Sequence, residues 1–266
     1  MLAPGQRFEG YVIDATLGHG GYATVYRAHD AERPDRALAL KVLGEGHRQP
    51  AQQARLQREF EFAHQLGHPH AVTMYEWGPG WLAMELVDGG PVAGLPTLAE
   101  RLTALAQVAD ALDYAHQRGI VHCDVKPSNI LVSQDFSRFG AVLIDFGVAH
   151  AVAKDVGRRP THIEASLPYS APELLQGHAP SAATDEYALA CTAVELVTGS
   201  PPFSASTPIA LVEEHLHRPA PRFSRQISWL PHAFDSILAK AMAKNPDNRY
   251  GSCAQFISLI ARALRS

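Results

Sequence analysis

Apolar positions along the chain read as three strands over residues 11–17, 24–29 and 37–43, and two more over 72–77 and 81–87. Gly78-Pro79-Gly80 supplies the turn between the last two. Leu56, Phe60, Ala63 and Leu66 recur at helical spacing, predicting a helix over 51–66. Five strands and one helix make a small N-terminal lobe. Beyond it the period changes. Leu98, Leu102, Leu105, Ala109 and Leu112 form one stripe of a helix from 97 to about 118, which Gly119 is suited to end at C′. A short strand, a polar loop, another short strand, a turn and the apolar run Ala141-Val142-Leu143-Ile144 follow. Further helices are expected over 186–198 and 252–264, so the class is α+β with a mainly helical second half.

Length agrees with two lobes, since 266 residues exceed the usual single domain. Apolar residues at 46% are enough for a core, and charged residues at 19% are few. A net charge of −4 without a basic run argues against nucleic-acid binding as the main task. Cys123, Cys191 and Cys253 are far apart and unpaired in spacing, which suits a reducing cytosol and predicts a cytoplasmic protein. No apolar run is long enough to span a bilayer, and the first ten residues lack a leader's apolar region. Of fourteen histidines only His68/His70 and His215/His217 are close pairs; both read as surface or structural.

The candidate chemistry is concentrated between His122 and Gly147. A polar loop carries Asp124, Lys126 and Asn129, and Asp145 ends the apolar strand. Carboxylates and an amide at strand ends are suited to holding a divalent cation and orienting a hydroxyl against a phosphate. Near the N-terminus, Gly18, Gly20 and Gly21 lie in a hairpin whose backbone can approach phosphate oxygens. A strand lysine such as Lys41 points to solvent unless a carboxylate partners it.

In order, these segments resemble the motifs of protein kinases. His-Cys-Asp-Val-Lys-Pro-Ser-Asn (122–129) and Asp-Phe-Gly (145–147) resemble the catalytic and metal-binding loops, and Leu17-Gly18-His19-Gly20-Gly21-Tyr22-Ala23-Thr24-Val25 the glycine-rich loop. Ala39-Leu40-Lys41-Val42 is similar to V-A-I-K, and Ala171-Pro172-Glu173 to A-P-E. The resemblance implies a two-lobed kinase domain over 8–266, with the N-lobe at about 8–87 and the C-lobe at about 88–266. It further implies a bacterial member related to the eukaryotic serine/threonine kinases, using ATP and Mg²⁺ on a protein substrate.

Carried over residue by residue, Asp124 is the base and Lys126 neutralises the transferred phosphoryl group. Asn129 and Asp145 hold Mg²⁺. Lys41, paired with Glu59, reaches the α- and β-phosphates, with Glu61 the competing partner about 200° further round the helix. Leu17, Val25, Ala39 and Leu131 enclose adenine, the backbone at Glu85 and Val87 bonds it, and Met84 stands behind. His122 and Phe146 read as packing residues. Lys126-Pro127 points to the serine/threonine branch. Ser166 is expected on the catalytic Asp and Lys, Asp185 under the catalytic loop, and Arg249 on Glu173.

The chain also departs from the family. Ala23 replaces the third glycine, which predicts a less mobile loop. The helix after the hinge is shortened. Ser128 stands where an acidic residue favours basic substrates. Cys123 replaces an arginine that pairs with an activation-loop phosphate, so activity is expected without such phosphorylation. An inert buried thiol is the expected state of Cys123, and Thr161 is the better candidate phosphosite. Ala23 and Cys123 keep a second class open, an ATP-binding pseudokinase acting as a regulatory scaffold. The motifs name no substrate and set no oligomeric state.

Overall fold

The computed structural model describes residues 1–151 and 164–265. Six strands form one antiparallel sheet: β1 (Arg7–Phe8), β2 (Tyr11–His19), β3 (Ala23–Asp30), β4 (Ala37–Leu43), β5 (Met74–Gly78) and β6 (Trp81–Met84), in the order β1-β2-β3-β4-β6-β5. Helix α1 (Pro50–His64) lies between β4 and β5 in sequence. The sixth strand, β1, corrects the expected five. Glu9 and Gly10, at φ 47° and 85°, turn the chain so that Phe8 pairs with Tyr11. Two residues are too few to show a period.

Strand β4 is the centre of this lobe, and period-two alternation divides its side chains. Leu38, Leu40 and Val42 join Tyr11, Tyr26 and Trp81 in a cluster on one face of the sheet. Ala39 and Leu43 turn the other way, into a core shared with α1 and the second lobe. Lys41 lies between them in register, so it points into the molecule. Register also sets Val25 opposite Lys41 and Ala39 opposite Met84.

Two strands are shorter than the pattern implied, for one reason. Val72 donates to Leu143 O at 3.0 Å and Glu85 donates to Thr73 O at 2.9 Å. Both ends of the segment are therefore tied to the second lobe and the hinge instead of continuing the sheet. A single 3₁₀ turn, Val92–Gly94, replaces a helix after the hinge.

The second lobe is built on α2 (Leu98–His116), opened by a capping box in which Thr97 and Glu100 bond reciprocally. Gly119 takes φ 72° two residues past the cap Gln117, not at C′. Short β7 (Ile120–Val121), β8 (Ile130–Val132), α3 (Phe136–Phe139), β9 (Ala141–Leu143) and β10 (His150–Ala151) follow. Hairpin β8–β9 sets Ile130 opposite Leu143, and β10 pairs with β7. The remaining helices are α4 (Pro172–Leu175), α5 (Ala182–Thr198), α6 (Pro208–His217), α7 (His232–Ala241) and α8 (Cys253–Arg265).

Helix α5 starts four residues before the expected Glu186. Thr184 Oγ1 accepts from Ser181 N–H at 3.0 Å, and the two alanines between them favour helix. Arg249 clamps this end, donating to both oxygens of Glu173 at 2.7 and 2.8 Å. Of the histidine pairs, His215 is fully buried against Tyr187 Oη at 2.9 Å, whereas His217 is exposed. His68 and His70 bond Asp110 and Ala141 O, also structural contacts.

Candidate active site

Helix α1 presents Glu59 to the sheet because Leu56 and Ala63, three residues before and four after it, share its buried face. Glu59 is 2% exposed, and Lys41 Nζ donates to both of its oxygens at 2.7 Å. Glu61 is exposed on another face and accepts from Gln57. Burial alone would lower the Lys41 pKa, but the Asp145 and Glu59 carboxylates overcome it and hold the ammonium above its ordinary range.

Asp145 lies 3.6 Å from Lys41 Nζ. Burial pushes its carboxyl up, yet Lys41, Arg55 and His122 together hold it down at about 2. Its φ of 65° is left-handed, as is that of Cys123 at 66°. Such backbone costs about 1–3 kcal/mol and persists where surrounding contacts enforce it. Gly147 lets three charged groups converge here: a Cβ would come within 3.1 Å of Arg55 Nε and Asp145 Oδ1, and 3.3 Å of Glu59 Oε2.

The loop from His122 to Asn129 is fixed from below. Asp185, wholly buried on α5, accepts from His122 N at 2.7 Å and Cys123 N at 2.8 Å. His116 Nε2 lies 2.8 Å from the same carboxylate, and two aspartates, Asp113 and Asp185, raise this histidine to about 9 against the opposing effect of burial. Asp185 is thus more than a carboxylate at a helix start, because its oxygens hold another loop's backbone. His122 accepts from Asp124 N through Nδ1 and donates from Nε2 to Ile144 O at 3.1 Å, its ring edge-on to Phe146. Both are packing residues by this geometry.

Asp124 faces the cleft at the centre of a polar cluster. Lys126 Nζ reaches its oxygens at 3.0 and 2.8 Å, and Asn129 Nδ2 donates to its carboxylate at 3.0 Å and its carbonyl at 2.9 Å. Ser166 Oγ donates to Asp124 Oδ1 and accepts from Lys126 Nζ at 2.8 Å. The 3₁₀ segment Glu164–Tyr169 is thereby docked on the loop by a hydroxyl. Cys123 is half-buried, more open than expected, with Sγ 3.6 Å from Val121 O. Lys154, Arg158, Arg159 and Thr161 lie outside the described residues.

A cleft of about 1080 Å³ joins these groups between the lobes. Gly18, Gly20, Gly21 and Val25 form its roof and Met84 its back; Lys41, Glu59, Asp124, Lys126, Asn129 and Asp145 line it. Leu17, Ala39, Glu85, Val87 and Leu131 are not among its lining residues. Glu85 spends its N–H on Thr73, and Gly89 passes so close to Ser133 that a Cβ would meet its backbone at 2.5 Å. Ala23 opens β3, opposite Leu43. A separate cavity of about 660 Å³ between α6 and α7 shares no residue with this set.

Sequence reasoning missed Arg55, one helical turn before Glu59 and facing Asp145, and Arg58, which donates to Ala149 O at 3.1 Å. The i, i+4 spacing of Arg55 and Glu59 was the available signal for the first. It also missed His116, whose importance rests on a contact 69 residues away in sequence.

Residues 11–259 match the protein kinase domain family. Over 277 residues the chain is 40% identical to serine/threonine-protein kinase PknJ of Mycobacterium tuberculosis, covering 99% of this chain and 47% of that protein. With PknF of the same organism the identity is 38% over 281 residues, covering 99% and 57%. The chain spans about half the length of these curated relatives. The crystal structure of the Mycobacterium tuberculosis PknI kinase domain superposes with a TM-score of 0.74 at 32% identity, covering 99% of each chain. Lobes, ordered motifs and relatives agree: the chain belongs to the protein kinase family, among the bacterial serine/threonine kinases related to the eukaryotic ones.

Proposed function

We propose that this chain transfers the γ-phosphoryl group of ATP to a serine or threonine hydroxyl of a protein. The observation that carries the reading is the joint assembly of both halves of the cleft. Lys41 is clasped by buried Glu59, and Asp124, Lys126 and Ser166 form a bonded cluster below it. In the proposed reaction Lys41 binds the α- and β-phosphates, while Glu59 keeps it extended. Asp124 accepts the substrate hydroxyl's proton and aims its oxygen, and Lys126 offsets charge gathering on the phosphoryl oxygens. Carbonyl and N–H groups of Glu85 and Val87 orient adenine, with Leu17, Ala39 and Leu131 closing on it as the lobes approach.

Asn129 and Asp145 would hold Mg²⁺. An ionised carboxylate and an amide lining the same cleft offer hard oxygen donors, which fit that cation. The ion supplies neutralisation of phosphate charge. The domain is read as spanning 8–266.

Activity without activation-loop phosphorylation is part of the proposal. The Cys123 thiol offers no cationic partner for a phosphate, and the neutral Ser166 hydroxyl already docks the segment on Asp124 and Lys126. A cytoplasmic place of action belongs to the same reading, because the reaction needs ATP and the three cysteines stand far apart in the sequence. Among the described residues no helix is long and apolar enough to cross a membrane.

The test is intact mass after incubation with Mg·ATP and a generic protein acceptor, comparing wild type with Asp124→Asn. The wild type is expected to transfer phosphate and the variant to lose about 10²–10⁴-fold in rate. Prior phosphatase treatment should leave the wild-type rate unchanged. ATP binding by both proteins with transfer by neither supports the scaffold reading suggested by Cys123.

A further inference from the structure

Three side chains that phosphoryl transfer leaves unused meet behind the catalytic loop. Asp113 and His116 lie one turn apart on α2, and Cys253 opens α8. One carboxylate oxygen, one imidazole nitrogen and the thiol sulfur lie within 4.8 Å of one another. His116 Nδ1 is 3.8 Å from Asp113 Oδ1. In a tetrahedral site with bonds of about 2.0–2.1 Å, that ligand–ligand edge is roughly 3.3 Å, so closure needs about half an ångström.

The surroundings are those of ligands already aimed. Asp185 takes His116 Nε2 at 2.8 Å, leaving Nδ1 toward the cluster, as outer carboxylates orient metal-bound histidines. Asp113 is fixed by N–H groups of Cys253 at 2.9 Å and Ala254 at 3.0 Å. Cys253 is 1% exposed, while the Asp113 side chain is 17% exposed, so the cluster has a closed side and an open one. One thiolate, one imidazole and one carboxylate, with an open position for water, suit a borderline divalent ion and not the hard Mg²⁺.

We propose that Asp113, His116 Nδ1 and Cys253 Sγ bind one zinc-class divalent ion that cross-links α2 to α8 beside the Asp185 anchor of the catalytic loop. Binding releases two protons, one from Nδ1 of the His116 imidazolium and one from the Cys253 thiol, and moves no electrons. The Nε2–H bond to Asp185 survives, so the ion stiffens the support of the loop without dismantling it.

Cobalt(II) reports the site directly through its sulfur-to-metal charge-transfer absorption, titrated into the whole chain. Wild type is expected to develop the band to one equivalent, and Cys191→Ser to keep it. Cys253→Ser should lose it, and zinc should erase it and raise the thermal midpoint of wild type but not of Cys253→Ser. An ion at Asn129 and Asp145 has only oxygen and amide donors and gives no such band, so the result is independent of the kinase reading. No band in wild type overturns the proposal, as does a band that persists in Cys253→Ser.

Discussion

Replacing Asp185 with asparagine tests what holds the catalytic loop. The aspartate takes three donors on two oxygens: Cys123 N on Oδ1, and His122 N and His116 Nε2 on Oδ2. Asparagine keeps one acceptor. Its best placement puts the carbonyl at the Oδ2 position and sets its NH₂ against the Cys123 N–H, a donor facing a donor in a wholly buried place. Hydrogen bonds to a charged group contribute about 1.5–3 kcal/mol and a buried unsatisfied donor costs about 1–3 kcal/mol, so Asp185→Asn should lose roughly 3 kcal/mol of stability. The freed residue, Cys123, is held at φ 66° and precedes Asp124, so the base should shift. A displacement of about 1 Å at a reacting group costs on the order of 10²-fold. Urea unfolding gives the stability change. Steady-state kinetics should show kcat down about 100-fold with KM for ATP within about twofold, because Lys41 and Glu59 are untouched. A loss below about 1 kcal/mol with kcat retained would mean that Asp185 is only a carboxylate near a helix start, an effect of about 0.3–1 kcal/mol, and would refute the reasoning.

Glu59→Gln should lower kcat/KM by about 10²–10³-fold, since a neutral amide no longer holds Lys41 extended; equal activity would sink the pairing. Glu173→Gln and Arg249→Met should each cost about 3–5 kcal/mol, because either leaves a buried charge without its partner. Their double variant should cost less than the sum by about 1–3 kcal/mol, and strict additivity in urea melts would contradict the clamp. Burial holds His215 neutral, with its pKa lowered from 6.5 to about 4. The neutral form's advantage is complete above pH 6.5 and lost as pH falls toward 4, about 3 kcal/mol in all. The stability difference between wild type and His215→Phe should therefore slope with pH only across that window, and a flat difference would count against it.

Much of this molecule is written locally. The glycine hairpin, the lysine strand, the catalytic loop, Asp145 and the terminal helix are stretches whose chemistry is contained in a few neighbouring residues, and their order along the chain indicates the two lobes. Ser166, Asp185 and the Arg249–Glu173 pair were also legible, though only by resemblance. What periodicity could not show is whatever depends on a distant partner. Strand β1 exists because β2 pairs with it, and β5 and β6 stop where Thr73 and Glu85 bond each other at the hinge. Lys41 alone could face solvent; β4's central place in the sheet, with α1 across it, turned the lysine inward onto Glu59. His116 and Cys253 carry no motif, and 137 residues separate them, yet the packing of α8 on α2 brings them together. Sequence thus determined which groups are present and which short segments carry them. Tertiary packing decided their distances, their burial and their charge states, because those depend on residues far apart along the chain.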